Sequence, residues 1–297
     1  MREDYNEYKT IVDEHILDYM PSINALSKSL YDSMRYSLLA GGKRLRPVLL
    51  MATCEFCGGN CFDALPYACA LEYIHTYSLI HDDLPCMDDD DMRRGQASNH
   101  VKFGEDIAVL AGDGLLNTAF EIMNKQLFMV FDDDEALKRR INACYAITKA
   151  AGVTGMVAGQ VADTESDGQE GSNEMLEFIH SNKTAALIKA AIEAGLYLGG
   201  ADQETTANMR AYAENLGMAF QIADDILDVK GDAAEMGKST GKDQENHKLT
   251  YVSLNGMEGA EERLHALTSD AVSAIAEYYD NAEFFRDLVL TLETRTK

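Results

Sequence analysis

Residues 81–95, HDDLPCMDDDDMRRG, place six aspartates within ten positions (Asp82, Asp83, Asp88, Asp89, Asp90 and Asp91) and put two arginines directly behind them. Close carboxylate pairs repel by roughly 4 kcal/mol at an effective dielectric of about 20, so such a run needs either full solvation or cations. Hard divalent ions with oxygen ligands are the natural counter-charge, and Mg²⁺ takes one or two carboxylates together with substrate phosphate oxygens. Acids that hold metal, metal that holds phosphate, and Arg93 and Arg94 that grip phosphate oxygens directly make one coherent chemistry. A run of acids is also commonly a solvated face, and on composition alone that reading stands beside the first. A calcium loop is excluded, because counting from Asp88 puts Met92 at the fifth position and Arg93 where the turn glycine belongs.

A second acidic cluster tips the balance. DDILD at 224–228 ends a segment in which Met209, Ala213, Leu216, Phe220, Ala223 and Leu227 recur at helical spacing. On that helix Gly217, Gln221, Asp224 and Asp228 form a polar stripe, at steps of four, three and four, so Asp224 and Asp228 point the same way. Residues 68–84 repeat the pattern, with His75, Ser78, Leu79 and Asp82 at i, i+3, i+4 and i+7 of another helix. Pro85 predicts that this helix stops near Leu84. The break matters, because six residues along a straight helix would swing Asp88 about 120° away from Asp82. Only a turn after Leu84 brings both carboxylates to one ion.

The two aspartate motifs, GGKRLRP at 41–47, KT at 183–184 and FQ at 220–221 stand in an order and spacing that resemble the trans-isoprenyl diphosphate synthases, over nearly the whole chain. Within that family, the Pro85–Cys86 insertion in the first motif and Tyr77 five residues ahead of it resemble the bacterial farnesyl diphosphate synthase type. The resemblance implies an all-α isoprenoid synthase fold, with helices around a large central cavity, in one polyprenyl synthetase domain spanning residues 1–297. It also implies about three Mg²⁺ ions, replaceable by Mn²⁺, held by Asp82, Asp83, Asp88, Asp224, Asp225 and Asp228. Lys43, Arg46, His75 and Arg94 are then expected to bind isopentenyl diphosphate. Arg93, Lys183, Thr184, Gln221 and Lys238 are expected at the allylic diphosphate, with Thr184 beside the reacting carbon. Tyr77 and Ser78 would set product length, although the helical wheel turns Tyr77 about 140° from Asp82 and does not by itself aim it into the cavity. A homodimer follows from the resemblance only.

Few prolines, no tryptophan and abundant Ala, Leu, Glu and Met favour an all-helical body. A net charge of −24 opposes encounter with nucleic acid or an anionic membrane surface. It opposes a diphosphate as well, so capture has to rely on local cations. Cys54, Cys57, Cys61 and Cys69 have loosely zinc-like spacing, but no second CxxC pair or histidine completes it, and buried helix cysteines are the better reading. The charged N-terminus lacks an apolar signal core, and no uninterrupted apolar run approaches the roughly 20 residues of a membrane span. The expectation is a soluble, cytoplasmic protein.

Along the chain, helices are predicted over 3–20, 22–39, 105–130 and 174–198. Lys43, Arg44 and Arg46 at the restart of a helix suit an anion site beside free amides, with a solvated basic loop as the alternative. Asp132–Glu135 reads as a solvated turn, and 163–174 as a surface loop. Residues 231–250, polar with repeated lysines, read as a lid that carries Lys238, with Lys248 a weaker candidate. Val252 stands where the family often carries proline. His81 attracts no role. No Ser/His/Asp set, phosphate-cradling glycine loop or nucleophilic side chain is evident, so the chemistry implied is electrostatic. The family resemblance then implies ionisation of an allylic diphosphate, attack by the isopentenyl double bond, and proton loss with the departing diphosphate as base. The rival readings are a geranylgeranyl diphosphate synthase, an HD-type metal phosphohydrolase built on His81 and Asp82, and a catalytically silent partner subunit.

Overall fold

The computed structural model describes residues 2–22, 24–166, 171–230 and 249–294. Lys238, Lys248 and most of the expected lid lie outside the described residues. The helix that organises the rest is α4 (Cys61–Asp82). It starts where the Asn60 side chain accepts the Phe62 amide at 2.9 Å, and it stops within two residues of the position Pro85 predicts. A helix that is apolar nearly all round belongs in the interior, and α4 lies there between α3 (Leu45–Phe56) and α6 (Glu105–Phe128).

The N-terminal helix α1 (Arg2–His15) is shorter than its apolar stripe suggests, giving way to turns from Ile16. Tyr73 of α4 donates its hydroxyl to the Ile16 carbonyl at 2.6 Å, which satisfies a group the helix would otherwise have used. Residues predicted as one helix over 22–39 divide into a short 3₁₀ turn at Ala25–Ser27 and α2 (Lys28–Leu38). After the first aspartate motif come a hairpin of β1 (Met92–Arg93) and β2 (Gln96–Ala97), then α5 (Asn99–Phe103) and α6. Asp133 caps α7 (Asp134–Ala151) by accepting the amides of Glu135 and Ala136, so the acidic patch there is structural.

The expected surface loop at 163–174 is a correction. Its first four residues continue α8 (Met156–Ser166), and α9 (Asn173–Ile179) opens with Ser172 as N-cap. The polar composition does not break α8, because Thr164 and Ser166 donate their hydroxyls to the carbonyls of Gln160 and Asp163. The single helix predicted over 174–198 is likewise α9, a π-turn at His180–Thr184, and α10 (Ala185–Gly199). The long α11 (Gln203–Lys230) packs on α10 and on α12 (Tyr251–Ala274), which bends at Gly256; α13 (Glu283–Leu290) closes the chain.

One continuous buried cluster runs from Val12 in α1 to Leu292 beyond α13. Tyr212 of α11 fixes α13 by donating its hydroxyl to the Phe285 carbonyl at 2.8 Å. Burial pushes the Cys54 thiol up to about 12 and the Cys57 thiol to about 11, which fits packed helix cysteines rather than metal thiolates.

One polar network crosses this core. Arg44 donates to Glu72 at 2.7 Å, to Asp13 at 2.9 Å and to the Leu38 carbonyl at 2.6 Å, while only 3% exposed. The sequence grouped Arg44 with Lys43 and Arg46 at an anion turn. The structure turns it inward, where it ties α1 and α4 to the start of α3. Replacing one partner of such a buried pair strands the other, at a cost of about 3–5 kcal/mol. Urea unfolding of Arg44→Ala is expected to show a loss of that size; a change below about 1 kcal/mol would mean that Glu72 finds another partner.

Candidate active site

The end of α4 builds the first wall. Asp82 accepts the Asp88 amide on its carbonyl at 2.9 Å, Leu84 accepts the Asp89 amide at 3.1 Å, and Asp83 accepts the Asp90 amide at 3.2 Å. These bonds fold the Pro85 loop back over the helix end and return Asp88 to Asp82, as the break in the helix requires. The hairpin follows at once, its turn made by Arg94 and Gly95, both at positive φ (53° and 75°), the backbone of a tight two-residue turn. It aims the paired arginines in different directions. Arg93 holds the Asp83 carboxylate with Nε at 3.0 Å and a second, shorter contact through Nη2. Asp83 is buried, which pushes its carboxyl upward, and the Arg93 guanidinium offsets part of that rise.

Arg94 reaches back to the Gly41 carbonyl. A Cβ on Gly42 would stand 2.7 Å from the Arg94 guanidinium carbon, and Gly42 is at positive φ, so only glycine fits under that arginine. The basic turn and the aspartate hairpin are thereby joined. Arg46 lies behind them, with Nη1 3.5 Å from His75 Nε2. Its Nε is buried and has no hydrogen-bond partner among the described residues. Burial and then Arg46, Arg94, Arg93 and Arg44 push His75 well below its ordinary range, so the imidazole is neutral at pH 7. Lys43 lies at the surface of this turn, and its carbonyl accepts the Tyr5 hydroxyl at 2.6 Å.

The second wall comes from the π-turn, a local widening that recurs at functional sites. Lys183 Nζ stands 2.5 Å from Asp163 Oδ2 and 3.7 Å from Asp82 Oδ2, and Gln160 donates to Asp82 Oδ1 at 2.7 Å. A Cβ on Gly159 would lie 2.2 Å from the Lys183 amide nitrogen, so a glycine is what lets α8 approach the turn. At its other end the π-turn meets α11, where His180 Nε2 is 3.5 Å from Asp225 Oδ2. Burial pushes His180 down to about 4, so this is a contact of a neutral imidazole rather than an ion pair.

Asp225 is buried and fully engaged: it also accepts Gln221 Nε2 at 2.9 Å and the Tyr251 amide at 2.7 Å, anchoring the start of α12. Asp224 is a residue earlier and so about 100° round the helix; burial pushes the Arg46 guanidinium down, and Glu72 and then Asp224 offset part of that. Asp228 is buried with Oδ2 unpartnered among the described residues.

Beneath the Asp82–Lys183 contact opens a cavity of about 700 Å³. Arg46, His75, Asp82, Lys183 and Thr184 give it polar lining; Tyr77, Leu79, Val109, Met156 and Leu187 line it with carbon. Tyr77 does face this space, although the wheel turns it from Asp82, because the cavity wraps around α4 towards α6 instead of following one stripe. Ser78 lines it too. No lining residue comes from α11, so DDILD meets this space only through the π-turn and the arginine cluster.

The family model for polyprenyl synthetases matches residues 27–281. The chain belongs to the polyprenyl synthetase family. It is 46% identical over 261 residues to a farnesyl diphosphate synthase of Geobacillus stearothermophilus, covering 87% of this chain and 86% of the relative. It is 45% identical over 276 residues to a geranylgeranyl diphosphate synthase of Cyanophora paradoxa, covering 93% and 89%. A crystal structure of an FPP/GFPP synthase from Zymomonas mobilis superposes with a TM-score of 0.83 at 33% identity, over 97% of this chain and 96% of that one. This polyprenyl synthetase is thus a prenyltransferase with the all-α isoprenoid synthase fold.

Two site residues escaped the sequence reading. Gln160 and Asp163 sit at i and i+3 of α8, both on the Asp82–Lys183 contact. Their signal was the run GQVAD, which is cut in two when a loop is drawn from residue 163.

Proposed function

We propose that this polyprenyl synthetase makes farnesyl diphosphate, condensing isopentenyl diphosphate with dimethylallyl and then geranyl diphosphate. The observation that carries the proposal is the placement of Lys183, held against Asp82 and Asp163 at the rim of a carbon-lined cavity that contains the buried ring of Tyr77. Lys43, Arg46, Arg94 and the neutral His75 take isopentenyl diphosphate, His75 as a hydrogen-bond donor and not as a charge. Arg46 Nε, buried and without a hydrogen-bond partner among the described residues, supports an anion at that place.

Mg²⁺ fits the acidic rims. Such an ion shares one or two carboxylates with substrate phosphates. The buried Oδ2 of Asp228, without a partner among the described residues, suits a cation as well. Asp82 and Asp88 on one side and Asp224 and Asp228 on the other would hold it; Asp83 and Asp225 instead brace Arg93 and Tyr251. When bound, Mg²⁺ neutralises charge on the departing diphosphate. Lys183 adds a fixed positive charge at that group, with Lys238 in the same role by family resemblance. Thr184 and Gln221 orient the allylic end, and the cavity excludes water from the carbocation. The released diphosphate accepts the proton. Residues 1–297 act as one domain, as a homodimer in the cytoplasm; no helix among the described residues is long and apolar enough to cross a membrane.

Incubation with Mg²⁺, isopentenyl diphosphate and geranyl diphosphate, followed by mass analysis, is expected to give a fifteen-carbon product, and a chelator is expected to abolish it. A twenty-carbon main product would make the chain a geranylgeranyl synthase, and phosphate release without prenyl product a phosphohydrolase. Tyr77→Ala is expected to lengthen the product; an unchanged length would place the floor elsewhere.

A further inference from the structure

His81 stands immediately before Asp82 and takes no part in the reaction described above. Its position is nonetheless closely specified. Nε2 lies 3.0 Å from the Val109 carbonyl on α6. A carbonyl only accepts, so Nε2 carries the proton and the tautomer is fixed. The ring meets Tyr77 edge-on, with centroids 5.7 Å apart and planes at 80°, a favoured aromatic arrangement. A Cβ on Gly112 would fall 2.0 Å from Nε2, so α6 gives up a side chain where the imidazole lands. His81, Tyr77 and Val109 all line the same cavity.

We infer that His81 is a positioning residue for product length: it closes the seam between α4 and α6 and holds the Tyr77 ring across the path of the growing chain. This rests on the reading of Tyr77 as the cavity floor. A ring supported only by its own Cα–Cβ bond rotates when an extending hydrocarbon presses on it. Tied to α6 through the Val109 carbonyl, the imidazole blocks that rotation from one side and fills the gap an extra isoprene unit would enter. A polar link suits the task, since it fixes the ring more narrowly than apolar packing does.

The test compares His81→Ala, His81→Gln, Tyr77→Ala and the double variant His81→Ala/Tyr77→Ala, reading the ratio of twenty- to fifteen-carbon product. His81→Ala is expected to raise the ratio about tenfold, the scale on which one hydrophobic contact discriminates substrates. His81→Gln keeps a donor at comparable reach and is expected to stay near the parent ratio. The double variant is expected to match Tyr77→Ala, since His81 acts through that ring. If Tyr77→Ala lengthens the product and His81→Ala does not, the role of His81 is overturned while the floor stands. If Tyr77→Ala changes nothing, the floor fails and the inference goes with it. A double variant whose ratio exceeds that of Tyr77→Ala by the full effect of His81→Ala also overturns it.

Because His81 adjoins Asp82, turnover in these variants is expected to fall, and a second readout needs no activity. Gly112→Ala is expected to lower the melting temperature of the parent and to be tolerated in the His81→Ala background. An equal penalty in both backgrounds would show that the imidazole does not occupy the space beside Gly112.

Discussion

Asp82→Ala and Asp224→Ala are each expected to lower kcat by about 10²- to 10³-fold, the scale on which single electrostatic groups contribute to charge-separating steps. The helical fold should survive in both. Asp82 shares Lys183 with Asp163, so its removal does not strand that ammonium. Gln160, which loses an acceptor, is only partly buried and reaches water. Asp224 is likewise only partly buried. The neighbouring acids are expected to behave in the opposite way. Asp83→Ala leaves the Arg93 guanidinium without its buried partner, and Asp225→Ala removes the acceptor of the Tyr251 amide at the start of α12. Both should lose stability, by about 1–3 kcal/mol for an unsatisfied buried donor. Steady-state kinetics beside thermal unfolding separates the two classes. Full activity in Asp82→Ala or Asp224→Ala would remove those carboxylates from the chemistry.

Lys183→Ala is the second large effect. Its ammonium is the cation placed between Asp82 and Asp163, and without it two carboxylates face one another across a half-buried gap. Loss of the charge is expected to cost about 10²-fold in kcat/KM for the allylic substrate, with KM for isopentenyl diphosphate little changed. Lys183→Arg should recover only part of this, because a planar guanidinium does not fit where a compact point charge sits between two acids. An equal loss for both substrates would indicate collapse of the π-turn and not a missing charge at one diphosphate.

Much of this arrangement was legible in the sequence. Periodicity marked α4 and α11, Pro85 required the loop that returns Asp88 to Asp82, and the glycine pair before Lys43 marked the basic turn. Other features had no sequence signal to read. The turn at HSNKT is defined by the Ala185 amide donating to the His180 carbonyl five residues earlier, which side-chain periodicity does not show. A helical wheel gives the direction of a side chain but not its partner. It therefore could not tell that Asp83 is held by Arg93 and Asp225 by the Tyr251 amide, while Asp82 lines the cavity. The wheel angle of Tyr77 misled because the cavity follows the gap between α4 and α6, not the Asp82 stripe. Arg44 turns inward because Glu72 on α4 meets it there. GQVAD failed to register because acidic, serine- and glycine-rich composition was taken as loop, where backbone-bonded hydroxyls prolong the helix.

The central claim is that acids from α4 and acids from α11 act on one diphosphate, linked through the π-turn and the arginine cluster. Calorimetric binding of inorganic pyrophosphate with Mg²⁺ to the parent, Asp82→Asn, Asp224→Asn and the double variant tests it most directly. The expected result is strong coupling, with either single change removing most of the affinity and the double change removing little more. Independent, additive losses, or binding that ignores one of the two residues, would contradict a shared site.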